Sequence, residues 1–600
     1  MLDLIKAELL RFRVWAIAAA LLHAATLGFF TRVVDPLQQP LFVYQVVASV
    51  YVVLGLLLGL HQIGGYRRPN TWLHLLHRPL PAARIALALA TASGLLLTVV
   101  IALPLLLMLA MQAGFSARVV DTRHLWLPLA AGLLGCIGWL GGAYALLAPR
   151  RYSVLVFALP AVFLLGDASG IAAIGVQWLV LIWLLGLLVA AFKPDLSAPP
   201  RAGIAELATA VPVTLGIYLL ALLASMGYQI IWIALGSHPL NSTPPAGGFI
   251  ETSRMRGDAL LQAGLLQSRD DSAEVWSEQV ELSEVVSLIA EFDAFPKRDE
   301  LTNPAPLEFD DDERRVRWIF SHDRMLFSGV NLADRKHAGV LGSGSAETPL
   351  LLPPLPLDGE RVLTSNTLYA YDSELQQLNP RIALPPSETF AAPPAPLGAA
   401  LLVLSDRALY FYDRRAFSER SDLQISRARL ALPAPIGSLE RIDLIELLDG
   451  HLVSLVYGRA GVDGPFDAWQ TLWQLAADGS AHEIARRELK PDFPLALRHY
   501  GWWLSPALHS LRARASQLFA QPDPMRAHEP VSRPVAIYTL AAALMLLALV
   551  VAIALSRRMP MSKAHQLVWC GACLIVGLPA LLALWLLRPA SGRAAAAGSA

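Results

Sequence analysis

Long apolar runs separated by short basic connections dominate both ends of the chain. About 20 apolar residues, rising 1.5 Å each, cross a hydrocarbon core of about 30 Å. On that measure the pattern predicts nine spans, at 14–31, 42–63, 85–113, 125–148, 152–166, 170–192, 209–236, 534–556 and 565–587. The fifth is short enough to be a re-entrant or tilted hairpin with the sixth rather than a full crossing. The first run, followed closely by the second and lacking a small-residue cleavage site, reads as a retained anchor rather than a signal peptide. Between the second and third spans the periodicity changes. Trp72, Leu75 and Leu76 fall at i, i+3 and i+4, one apolar face of a short helix that Pro69 precedes and Pro79 and Pro81 stop.

From residue 237 to 532 the helical runs give way to short alternating strands broken by Asp, Gly and Asn turns. Similar phrases recur there. Aligning Met325, Leu368, Leu409 and Leu472 gives steps of 43, 41 and 63 residues, the last with room for an insertion at "GRAGVDGPFDAW". An earlier "AEVWSEQVELSE" near 273 sits about one period before. Periods of about 40 to 50 residues fit propeller blades, and nearly 300 residues allow six or seven; the competing fold is a stack of β-sandwich modules. Tyr369, Tyr371, Tyr410 and Tyr412 alternate as strand faces do and read as core. Near the end, "HYGWWLSPALHSLRARASQLFA" has helical spacing at Leu504, Leu508, Leu511 and Leu518, which fits either an interfacial helix anchored by Trp502 and Trp503 or a packing helix at the foot of the propeller.

Composition supports the same division. Of 600 residues 55% are hydrophobic and 16% charged, with a mean hydropathy of +0.48, which is a membrane protein's profile. The formal net charge of zero hides a segregation: residues 237–532 hold 41 acids and 28 bases, a net of −13, and the rest holds 7 acids and 20 bases, a net of +13. The acidic body argues against a nucleic-acid partner. Lysine and arginine in the short connections number 14 on the amino-terminal side (Lys6, Arg11, Arg13, Arg67, Arg68, Arg78, Arg84, Arg150, Arg151, Lys193, Arg201, Arg557, Arg558, Lys563) against three opposite (Arg32, Arg118, Arg123). The bias puts that side in the cytoplasm and the β-rich body outside; a tail after Leu587, with Arg588 and Arg593, then lies outside too.

The chain is equally informative in what it lacks. Cys136, Cys570 and Cys573 all fall in apolar runs, so the body has no disulfide to rely on, and Cys570-x-x-Cys573 reads as helix packing. Asn241-Ser242-Thr243 reads as a linker rather than a glycan acceptor. Apart from run ends the spans hold no Asp, Glu, Lys or Arg; His23 and Gln177 are the main polar exceptions, expected to hydrogen-bond a neighbouring helix. No G-x-x-x-x-G-K-[ST] loop is present, and "GVLGSGSAE" at 339–347 reads as a surface turn. Neither a G-x-S-x-G elbow nor H-E-x-x-H appears, so an enzyme is not expected.

One stretch resembles a known family. The order of a basic amphipathic start ("MLDLIKAELLRFR"), two spans, and "NTWLHLLHRPLPAARIALALA" is similar to that of type-2 ABC exporter permeases. In that family an acidic-Gly-Thr-Leu-x-x-Leu-Leu-x-x-Pro-x-Ser-Arg pattern follows the second span. Thr71, Leu75, Leu76, Pro79 and Arg84 lie on it, whereas Arg68 and Asn70 stand near the place of the acidic residue. The likeness covers roughly residues 1 to 192. It implies a coupling helix within loop 66–84 (Thr71, Trp72, Leu75, Leu76, Arg78, Pro79, Arg84) seated in a cleft of a separate cytoplasmic ATPase. That partner would carry the ATP and Mg, with no cofactor on this chain. It further implies a homodimer or a second permease, and a bacterial cytoplasmic (inner) membrane. The expected architecture is a polytopic α-helical membrane protein with an all-β, propeller-like extracytoplasmic domain: a membrane domain over 1–236, the body over 237–532, and a two-span segment with its tail over 533–600. The alternative is a non-transporting membrane-anchored scaffold or sensor whose propeller binds a protein or glycan.

Overall fold

The long apolar runs form helices because, in hydrocarbon, a helix satisfies every backbone N–H and C=O within itself. The computed structural model describes residues 1–588 except 34, 150, 165, 167, 168, 195, 197–202, 242, 293, 345–347, 359, 420, 421, 460–466, 520–523, 529–531 and 560. Arg150, Arg201, Arg593, Ser242, Leu165, 345–347 of the glycine-rich turn and 460–466 of the insertion therefore lie outside the described residues.

The amino-terminal bundle comprises α1 (Leu2–Phe30), α2 (Leu41–Tyr66), the short α3 (Pro69–Leu76), α4 (Ala82–Leu97), α5 (Leu103–Phe115), α6 (Trp126–Leu147), α7 (Ala158–Leu164), α8 (Ile171–Ala191) and α9 (Gly203–Ala234). α4 runs into α5 through one π-helical turn, Thr98–Ala102. With Val535–Ser556 after the body, seven described helices are long and apolar enough to cross a membrane. The basic start does not form a separate helix: α1 is continuous from Leu2.

α2 and α6 lie backbone to backbone. A Cβ built on Gly138 would sit 2.1 Å from the Val52 carbonyl oxygen, one on Gly59 2.4 Å from that of Trp139, and one on Gly142 2.5 Å from that of Leu56. Only glycine permits this approach, which replaces the absent hydrophobic drive between helices in lipid with close van der Waals contact. His23 fills the role expected of it. Its Nδ1 is 2.8 Å from the Val100 carbonyl oxygen, which Pro104, four residues on, has no N–H to satisfy; its Nε2 meets the Tyr51 hydroxyl at 3.1 Å. Gln177, also buried, lies against Tyr44.

Two predicted spans differ from expectation. The fifth is a 3-10 turn, Ser153–Phe157, followed by α7. Tyr152 lies beside the ends of α6 and α8, whereas Gly166 accepts from Gln45 at 2.9 Å and the Ser169 hydroxyl binds Glu300 of the body at 2.6 Å. The segment therefore passes from the amino-terminal face to the body face as a broken helix, neither a hairpin nor a regular span. The ninth run, 565–587, divides at Gly577 (φ +80°, ψ −140°) into Lys563–Val576 and Leu578–Leu587. At 14 and 10 residues these reach about 21 and 15 Å. A Cβ on Gly203, which opens α9, would meet His565, and Arg588 pairs with Glu206 of the same first turn. Both ends thus lie on one face, and the run is a re-entrant hairpin; the tail, 589–600, is outside the described residues.

Among the described residues the body holds four antiparallel sheets. Three are four-stranded meanders, over Glu308–Leu341, Leu355–Ala383 and Ala395–Ala431; the fourth, Leu439–Glu488, gains a fifth strand, Val286–Leu288, with Val286 opposite Leu444. The repeated phrases mark the third strand of each meander: Met325 immediately precedes Leu326–Asn331, and Leu368, Leu409 and Leu472 lie in theirs. Neighbouring sheets share apolar cores, the first with the second, the second with the third, and the third with the fourth. The far face of the fourth is covered by helices Gly257–Leu265 and Ala273–Leu282. The phrase near 273 is therefore helical, with Trp276 and Val280 one turn apart and inward, and the described residues hold four sheets rather than six or seven. Where the chain comes into and leaves the body, the Lys490 amide donates to the Gly247 carbonyl at 2.9 Å and Phe249 to Lys490 at 3.3 Å.

The first sheet rests on the bundle through buried polar contacts. Asp121 accepts from the Ser321 hydroxyl at 2.7 Å and the His322 amide at 3.0 Å, Arg123 donates to Asn303 at 3.1 Å, and Arg118 pairs with Asp35 and Glu308 at 2.9 and 3.0 Å. His322 is wholly buried, and among the described residues neither ring nitrogen has a hydrogen-bond partner. Desolvation, then Arg123, His124 and Arg298, hold its imidazole far below the ordinary value, at about 2. Desolvation pushes Asp121 up, against its hydrogen bonds.

Candidate docking surface and the polar cluster beneath it

α3 begins with Pro69 in its first turn after an extended Arg68 and ends at His77, just ahead of Pro79 and Pro81, so proline punctuation fixes its two turns. Its apolar face points inward. Trp72 and Leu75 are 6% and 2% exposed and join the bundle core with Leu4, Ile63 and Ile85. The Trp72 ring packs on Phe192, just past α8, at 4.9 Å.

The predicted coupling residues accordingly divide. Trp72 and Leu75 anchor the helix, Thr71 and Leu76 are half-buried, and Arg78, Pro79 and Arg84 are exposed. Side chains that periodicity did not single out complete the outward face: Arg68, Asn70, Leu73, His74 and His77, with Leu73 53% exposed. The outcome is a basic surface with one apolar knob, held to the bundle by a buried aromatic. The signal was present in the heptad position: residues opposite a buried i, i+3, i+4 face must point outward.

Beneath α3 lies a polar cluster. Glu8 of α1 is 2% exposed and accepts from Gln62 Nε2 at 2.7 Å and from the Tyr66 hydroxyl. Gln62 Oε1 accepts from Ser93 at 2.6 Å and from Trp139 Nε1 at 2.9 Å, so one carboxylate and one amide join α1, α2, α4 and α6. Arg11 lies 3.7 Å from Glu8 and over the Phe12 and Tyr66 rings, at 5.0 and 5.3 Å. A carboxylate buried in a bundle persists only when so satisfied. Tyr66 is the last residue of α2, three before α3, so the cluster and α3 are adjacent.

A second carboxylate, Glu206 of α9, accepts from Trp569 Nε1 at 3.1 Å and from Arg588 at 2.6 Å, and ties the re-entrant hairpin to the bundle. Among the described residues no group of three His, Cys, Asp or Glu side chains could hold a metal. No protein-family model matches the chain, and no curated protein matches it.

Proposed function

We propose that this chain is the permease subunit of an ATP-driven, ABC-type exporter in a bacterial cytoplasmic membrane, docking a separate ATPase through α3. The observation that carries the reading is the orientation of that helix: Trp72 and Leu75 fixed in the bundle, with Arg68, Leu73, His74, His77, Arg78 and Arg84 presented outward. A partner needs an apolar socket for Leu73 and an acidic rim. Movement imposed on α3 would pass to α1, α2, α4 and α6 through Tyr66, Glu8 and Gln62. The lysine and arginine bias supports a cytoplasmic position for this face and an extracytoplasmic one for the body. The serial stacking of four-stranded meanders supports propeller-like construction of the body, which would engage cargo or an outer partner. A permease with one docking helix would function as a homodimer or beside a second permease.

The test uses exposed residues, because Leu75→Asp would place a charge in the bundle core. Leu73→Asp with Arg78→Glu removes the knob and inverts the charge without touching buried side chains. Losing an apolar anchor in an interface costs about 2 kcal/mol or more, roughly thirtyfold in affinity. The tagged wild-type chain should co-purify with ATPase activity and the variant should not; equal activity with both would end the docking reading.

A further inference from the structure

At the foot of the body an apolar groove of about 400 Å³ opens between the last long span and the helices that cap it, lined by Trp502, Tyr538, Ala542, Met545 and Leu574. Its volume falls in the range that ligand sites occupy, about 300–1,000 Å³. Three features make it. The re-entrant hairpin stops at Gly577, next to Met545 and the Leu504 carbonyl, so the short helix Tyr500–Leu504, rather than a membrane span, closes the level above. Ala541 and Ala542 are small and set the depth, and Trp502, edge-on to Tyr538 at 5.0 Å, closes the top. Tyr538 to Met545 covers about 10 Å of helix, within the roughly 15 Å thickness of one leaflet's hydrocarbon.

The mouth is basic. The Arg533 guanidinium stacks on Trp502 at 4.8 Å, and among the described residues its Nε has no hydrogen-bond partner. A cation held over the aromatic that closes the groove complements an anionic headgroup. We propose that the groove holds an acyl chain of an anionic phospholipid from the body-side leaflet, with its phosphate at Arg533. Because bulk lipid is as apolar as the groove, the chain alone gives little preference; selectivity comes from the headgroup, about fivefold per arginine engaged. The inference is independent of how α3 is used.

The experiment reconstitutes the full chain in bilayers of mixed phosphatidylglycerol and phosphatidylcholine, each supplied in turn as a probe with a photoactivatable acyl chain, and maps the adducts. Adducts should concentrate at Tyr538–Met545 and Leu574, with the phosphatidylglycerol probe labelling about fivefold more strongly. Ala542→Trp should remove them, and Arg533→Gln should equalise the two probes while leaving the adducts in place. Since Ala542→Trp could disturb folding, its thermal unfolding is measured alongside, and the Arg533→Gln result decides by itself if that variant unfolds. Even labelling around the lipid-exposed Leu547 and Val550, equal labelling by both probes in the wild-type chain, or cross-links from this groove to a second copy of the chain would each overturn the proposal.

Discussion

His322 is a whole imidazole placed where water cannot reach it, facing Arg123, His124, Arg298, Asp121 and Asp323. A histidine whose folded pKa is depressed adds stability above its free value, near 6.5, and that stability is lost as pH falls toward the folded value. At pH 5.5 the loss is about 1.4 kcal/mol. Asp121, raised by burial, works in the opposite sense: protonation at the acid end of the range favours the docked form. The body's seat on the bundle should therefore loosen between pH 6.5 and 5.5, read as faster proteolysis of the body or a lower melting temperature. His322→Phe, which can pack edge-on to Phe320 as the imidazole does, should flatten that profile; an unchanged profile would show that another group sets it. None of this could be read from the chain, since a histidine in a strand looks the same buried or wet. Glu8 was hidden for another reason: it lies outside the first apolar run, and only the continuation of α1 back to Leu2 brings it under the bundle.

At the scale of elements, the backbone contact of α2 and α6 makes the sharpest prediction. Gly138→Ala puts a methyl group 2.1 Å from the Val52 oxygen and must push the helices apart, at about 1–3 kcal/mol or more. Gly175→Ala, with nothing within 4 Å of the new atom, should be neutral or slightly stabilising, and comparison of the two melting temperatures in detergent checks both. Gly55-x-x-x-Gly59 on α2 was there to be read as the small-residue spacing of such contacts. In the body, period-two alternation and turn residues located Leu368, Leu409 and Leu472 on equivalent strands, because strand pairing in a meander is local. The same cue failed at 273–282, where Trp276 and Val280 follow helical spacing and cover a sheet more than 160 residues later in the chain.

For the whole molecule, apolar length distinguished membrane from body but not a crossing from a re-entrant loop. Residues 565–587 are long enough to span, and only Gly577, in a backbone region closed to other residues, turns them back. With Cys136, Cys570 and Cys573 replaced by alanine, single cysteines at Ser562 and Arg588 should react with an impermeant thiol reagent from the same side of the membrane. One at the fully exposed Leu448 should react from the other side. Labelling of Arg588→Cys from the side of Leu448 would restore the full crossing. The hydrogen bonds between Gly247, Phe249 and Lys490 carry a last consequence. Some 240 residues depart from the membrane part and come back to it through a single stapled point, so the β-rich region behaves as a cassette. Excision between Gly248 and Lys490 would leave stumps already within bonding reach, and what the bundle would lose is the set of partners that residues 300–322 give Asp121, Arg123 and Ser169.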